Sequence, residues 1–169
     1  MAEDFLKNPV SLCDSKGKTT LITGATGAFG ALAAKTLAGA GGNVVLAAGR
    51  PAELKKVAAE CEKLGAKVAT VATRPNSESA CDKIAQAAVD AFGRIDILVL
   101  ASGINKVQKI VEQKPDDFLE VMDVNVTQSW LMARAAGKHM LKQGGGGKVI
   151  LMSSARGKVG HPARYTAYC

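Results

Sequence analysis

Short apolar runs alternate along this chain with segments of helical period, and glycine punctuates most of the joins. No other feature restricts the fold as much. Thr19 to Thr23 (TTLIT) is β-branched and apolar and runs into a glycine cluster, as a buried strand does. The period then changes. Phe29, Leu32, Ala33, Thr36 and Leu37 recur at steps of three and four as far as Ala40, and Gly41-Gly42 stops the helix. The unit repeats as a strand over 43–48, a helix over 51–64, a strand over 67–72, a helix over 77–92 and a strand over 95–101. Gly65 and Gly93 end the two helices, Pro51 suits a first helical turn, and Ser77 suits an N-cap. Helical character returns over 114–143, with Pro115 near its start and the glycine run 144–147 as its stop; 148–152 (KVILM) is a fifth strand. Each strand is apolar along its length rather than alternating, so both sheet faces need cover. That predicts an α/β fold, a doubly wound parallel sheet with right-handed crossovers, in a single domain over residues 1–169. Residues 1–17 read as an extended lead-in.

The composition fits one core. The 169 residues are 47% hydrophobic but only 4% aromatic, with 18 glycines, which favours aliphatic strands and close helix contacts. No apolar run approaches the roughly 18 residues of a membrane span, and the opening MAEDFLKNPV has acids where a secretion signal has basic residues. A cytoplasmic protein with no membrane partner is expected. Cys13, Cys61, Cys81 and Cys169 form no C-x-x-C pair and only two histidines accompany them, so reduced thiols and no metal site are expected. His139 reads as surface or helix end, and His161, before Pro162, as loop. Met122, Trp130, Met132 and Met140 sit at helical intervals and read as packing residues, with a dimer face one use for them. Residues 1–123 hold 15 Lys+Arg and 15 Asp+Glu, whereas 124–169 hold 7 and none, which is the whole net charge of +7. Those seven cations stand singly without interleaved aromatics, so no nucleic-acid partner is expected. The imbalance reads instead as a missing acidic segment.

Gly24-Ala25-Thr26-Gly27-Ala28-Phe29-Gly30 follows the first strand and opens the first helix. Glycine permits a tight turn there and lets a pyrophosphate reach the amides at the helix start, where the dipole favours negative charge. This is the setting of a Rossmann-like dinucleotide site.

Here the chain resembles the short-chain dehydrogenase/reductases, over nearly its whole length. Thr23, Gly24, Thr26, Gly27, Ala28, Phe29 and Gly30 are similar to the family's T-G-x-x-x-G-x-G, with Ala28 where the middle glycine usually stands. Asp96-Ile97-Leu98-Val99 with Leu100-Ala101-Ser102-Gly103 resembles D-x-L-V-N-N-A-G, with Leu100 and Ala101 replacing two asparagines. Asn125 is similar to the family's helix asparagine, 153–157 to its strand-five serine motif, and 165–169 to the approach to Y-x-x-x-K. The resemblance implies hydride transfer between a nicotinamide cofactor and a secondary alcohol or ketone. It gives Tyr168 the proton shuttle, Ser154 the carbonyl oxygen, and Asn125 a water in the proton relay. Ser153 and Tyr165 are the lesser candidates. It places cofactor contacts on the glycine turn and on Ala101, Ser102 and Gly103.

At the end of the second strand Gly49-Arg50 offers a cation and no carboxylate, which favours NADP(H) over NAD(H). Thr73 stands where the family suggests an adenine-bonding aspartate, so adenine recognition is expected to be weaker or to rely on the Thr73 hydroxyl and Arg74. A free phenol titrates near 10, and the family's lysine four residues beyond the tyrosine lowers it; that position lies past Cys169. The expectation is therefore a domain truncated after about its fifth strand and inactive as it stands, from a longer enzyme that assembles as a dimer or tetramer. The motifs look most like members acting on sugar acids or polyols, gluconate 5-dehydrogenase-like ones. A 3-oxoacyl reductase and a non-catalytic NADP-binding module are the alternatives.

Overall fold

The computed structural model describes residues 12–160 and 164–169. Most of the lead-in and His161 lie outside them. Five strands form one parallel sheet in the order β3-β2-β1-β4-β5: β1 (Thr19–Thr23), β2 (Asn43–Ala47), β3 (Val68–Val71), β4 (Ile97–Leu100) and β5 (Lys148–Leu151). The helices are α1 (Ala28–Gly39), α2 (Pro51–Lys63), α3 (Glu78–Phe92), α4 (Pro115–Met122) and α5 (Gln128–Gln143). All five predicted strands are present, each within two residues of its expected ends.

The two faces explain the continuous apolar runs. Leu21, Val45, Leu98 and Leu100 pack on one side with Ile84 and Ala88 of α3 and Met132 and Ala136 of α5. Ile22, Val44, Leu46 and Val99 point the other way, against Ala34 and Ala38 of α1 and Leu54, Val57 and Cys61 of α2. Neighbouring strand residues face opposite ways and both kinds are buried, which is why the runs are apolar rather than alternating; in β1 the threonines Thr19, Thr20 and Thr23 are buried as well. Local signals fall where expected: Pro51 starts α2, and the Ser77 hydroxyl accepts from Ala80 N–H at 3.2 Å to cap α3. Ion pairs of Arg134 with Glu78 and of Lys138 with Asp82 tie α5 to α3.

One difference from the sequence reading concerns 114–143, which is not a single helix. Between α4 and α5 the backbone makes a turn of π-helix, Asp123–Thr127, in which Gln128 N–H bonds the Asp123 carbonyl. A π-turn inserts one residue into the helical phase without changing composition, so periodicity does not reveal it. Met132 and Met140 enter the core, whereas Met122 and Trp130 face outward. Strand β5 is exposed at all four residues, because among the described residues only β4 lies against it.

Asp96 locks the sheet at its amino edge. It is 7% exposed, and its carboxylate accepts from Thr19 N–H at 2.9 Å and from Arg94 Nε and Nη2 at 2.9 and 2.7 Å. Burial raises its pKa, but the Arg94 hydrogen bonds, the Thr19 amide and the charges of Arg94 and Lys18 outweigh burial and hold it below the usual carboxylate value.

Candidate functional site

Strands β1 and β4 lie side by side, with Thr23 in register with Leu100. The helix that follows β1 packs on one face of the sheet, while α5, after β4, packs on the other. Connections that leave in opposite directions open a crevice at the carboxyl ends of the strands, the usual place for a ligand in such sheets.

The glycine turn is built to fit that crevice. Gly24 has φ +64°, and a Cβ there would stand 2.6 Å from the Ala101 carbonyl and 2.7 Å from Ser102 N. Only glycine lets β1 and β4 end so close together. A Cβ on Gly30 would run into the Gly24 carbonyl, so Gly30 lets α1 begin directly beneath the turn. Gly27 caps α1 with no side-chain bond, and the first turn of that helix carries no acid. Its free amides and positive dipole end are therefore available to an anion. A cradle that a Cβ would fill, at an uncapped helix start, suits the pyrophosphate of a dinucleotide.

Two grooves meet beyond the turn, sharing Ala101, Ser102, Gly103 and Ile104. The first, of about 550 Å³, is lined by Gly24, Thr26, Gly27, Gly49, Arg50 and Arg74 among others. Arg50 lies over the glycine turn, its Nη2 donating to the carbonyl and to the hydroxyl of Thr26, both at 3.1 Å. Thr23 is buried at the end of β1, and Ala28 opens α1. Thr73 is not among the residues lining either groove; its neighbours Arg74, Pro75 and Asn76 line the first. The loop after β3 has no periodicity from which to read which of its residues turns inward; of the Thr73 and Arg74 pair that the sequence offers for the adenine end, only Arg74 lines the groove.

The second groove, of about 690 Å³, gathers Asn125, Ser153, Ser154, Tyr165 and Tyr168, with Phe29 on its wall. These residues come from α1, the π-turn and the segment after β5, far apart in sequence. Ser154 caps a short 3-10 turn (Ala155–Gly157), its Oγ accepting from Arg156 N–H at 3.2 Å. Tyr165 and Tyr168 sit edge to face, 6.2 Å between ring centres. Their segment is held by Gln108, whose N–H donates to the Arg164 carbonyl at 2.9 Å and whose carbonyl accepts from the Thr166 hydroxyl at 3.0 Å.

Asn125 has a specific task in the structure. Its Oδ1 accepts from Ile104 N–H at 2.8 Å and its Nδ2 donates to the Ile104 carbonyl at 2.9 Å. The amide thus closes on the backbone at the seam between the grooves. Lys106 braces the same loop against α4 by pairing with Asp117 and Glu120. Those hydrogen bonds raise the Lys106 pKa, and the bonds from Lys106 and Gln108 lower that of Asp117. Among the described residues no group of three His, Cys, Asp or Glu side chains could hold a metal ion, and no helix is long and apolar enough to cross a membrane. His139 lies in α5, outside both grooves.

A doubly wound parallel sheet with a tight glycine turn at its switch point defines an α/β protein of the Rossmann-like class. Residues 18–169 match the family model of the short chain dehydrogenases, and the chain belongs to that family. An uncharacterised oxidoreductase of Mycobacterium tuberculosis is 44% identical over 155 residues, which cover 90% of this chain and 56% of that protein. The crystal structure of a short-chain type dehydrogenase/reductase from Mycobacterium marinum superposes with a TM-score of 0.92 at 32% identity, covering 95% of this chain and 65% of the other. A crystal structure of NAD+-bound xylitol dehydrogenase superposes with a TM-score of 0.87 at 28% identity, covering 91% and 59%. The chain therefore spans less than two thirds of the length of each of these relatives.

Proposed function

We propose that this protein is an NAD(P)-dependent oxidoreductase interconverting a secondary alcohol and a ketone, with NADP(H) the favoured cofactor. One observation carries the reading: a nucleotide cradle and a groove holding Ser154, Tyr168 and Asn125 share the wall Ala101–Ile104. The bound nicotinamide would supply or accept the hydride. The chain's own residues would handle the oxygen and its proton. Because the Ser154 oxygen already accepts from Arg156 N–H, its own hydrogen is left to donate to a substrate oxygen. The Tyr168 phenol gives or takes the hydroxyl proton as general acid or base. Asn125, with both amide atoms engaged on Ile104, fixes the seam; a relay water beside it would rest on main-chain groups of the π-turn.

The xylitol dehydrogenase likeness supports a polyol or sugar acid as substrate. Phe29, Ile104 and Met152 form an apolar wall in the second groove, which favours a second reading, a 3-oxoacyl reductase. Exposed Phe118, Leu119, Val126 and Trp130 suit a homodimer or tetramer face in the whole protein. The test is NADPH oxidation by the full-length protein with ketose and sugar-acid ketones beside a 3-oxoacyl thioester. Ser154→Ala and Tyr168→Phe should each cut turnover by roughly 100-fold or more while nucleotide binding survives. Tight NADPH binding with no carbonyl turned over would make it a binding module instead.

A further inference from the structure

We infer that Arg74, rather than Arg50, is the residue that selects for a 2′-phosphate on the adenine ribose, with Gly49 as its seat. This rests on the reading of the first groove as a dinucleotide site. Both guanidiniums stand at the same lip of that groove, but they are not equally available. Arg50 donates twice to Thr26 and lies 3.7 Å from Glu53 through Nη1. It clamps the glycine turn. Among the described residues the Arg74 guanidinium has no hydrogen-bond or ion-pair partner, although it is the charge that the groove presents beside Gly49.

The local packing holds Arg74 there. A Cβ on Gly49 would stand 2.5 Å from Arg74 Nε, 2.8 Å from Cγ and 3.1 Å from Cδ. The side chain therefore lies flat across Gly49, directly after β2, and any larger residue at 49 would displace it. Arginine fits a phosphate with paired N–H donors, whereas a bare ribose diol is better met by a carboxylate acceptor. The two acids lining this groove are already engaged: Glu120 pairs with Lys106, and Asp123 accepts from Gln128 Nε2 at 2.8 Å. The groove thus offers a free cation and no free carboxylate.

The test is calorimetric titration of the protein with 2′,5′-ADP and with 5′-AMP, which differ only in the 2′-phosphate, alongside NADPH and NADH. Arg74→Ala should weaken 2′,5′-ADP and NADPH by roughly 10- to 100-fold, from the loss of charge-assisted bonds, and leave 5′-AMP and NADH within about twofold. Gly49→Ala keeps both charges and moves only Arg74; it should give a smaller loss confined to the same two ligands. Arg50→Ala should weaken all four ligands alike, because it loosens the turn. Equal losses for both nucleotides in Arg74→Ala, or discrimination lost only in Arg50→Ala, would overturn the assignment to Arg74. If wild-type protein bound none of the four ligands, the dinucleotide reading itself would fall with it.

Discussion

The amide clamp of Asn125 on Ile104 can be broken in two ways, by removing both bonds or by exchanging only its donor for an acceptor, which makes its contribution measurable. Asn125→Ala removes an acceptor for Ile104 N–H and a donor for the Ile104 carbonyl, bonds of 2.8 and 2.9 Å. Each is worth about 1 kcal/mol net, so the pair should contribute about 2 kcal/mol. Asn125→Asp has the same shape and keeps the acceptor, yet sets a carboxylate oxygen against the Ile104 carbonyl. Near neutral pH it should cost at least as much as alanine. Protonation of that carboxyl restores a donor, so its folded pKa must rise above the unfolded value of about 3.9. The stability linked to such a proton is fully present below the unfolded pKa and lost as pH rises through the folded one. The gap between wild type and Asn125→Asp should therefore be small near pH 4 and widen to a plateau by neutrality. Urea unfolding across that range, with wild type as the reference at each pH, reads it directly. An alanine variant within about 0.5 kcal/mol of wild type, well below the summed bonds, or an aspartate gap flat with pH, would show that the clamp does not hold the seam.

Asp96 should behave in the opposite sense. Asp96→Ala leaves Thr19 N–H without its buried acceptor and should cost roughly 1–3 kcal/mol near neutrality. Because the wild-type carboxyl is held below its usual value, that advantage is present above about pH 3.9 and fades as pH falls through the folded pKa; a difference that stays constant in acid would contradict it. Gly24→Ala forces an alanine to φ +64° with its Cβ 2.6 Å from the Ala101 carbonyl. Left-handed strain of roughly 1–2 kcal/mol and overpacking of roughly 1–3 kcal/mol should lower Tm markedly and abolish nucleotide binding. An unchanged Tm would mean that the ends of β1 and β4 are not so tightly apposed.

Much of the architecture could be read from the amino acids alone. Strand runs such as TTLIT, helix periods, Pro51, the Ser77 cap and the glycine stops act within a few residues of themselves, so each element declares its type and its apolar face locally. The glycine turn was legible for the same reason, and the family motifs marked Asn125, Ser154 and Tyr168, which the structure brings to one groove. Other features depend on which elements become neighbours. The π-turn interrupts the helical period between α4 and α5, and packing of α5 on the sheet buries Met132 and Met140 while Met122 and Trp130 stay exposed. Asp96 meets Thr19 only because β1 lies beside β4. Arg74 reaches the groove, and Thr73 does not, because the loop after β3 crosses Gly49 at the end of β2. Solvent acts on each segment alone and leaves its mark as period and composition. Sheet order and the course of a coil instead set contacts between residues tens of positions apart, and no local pattern records those contacts.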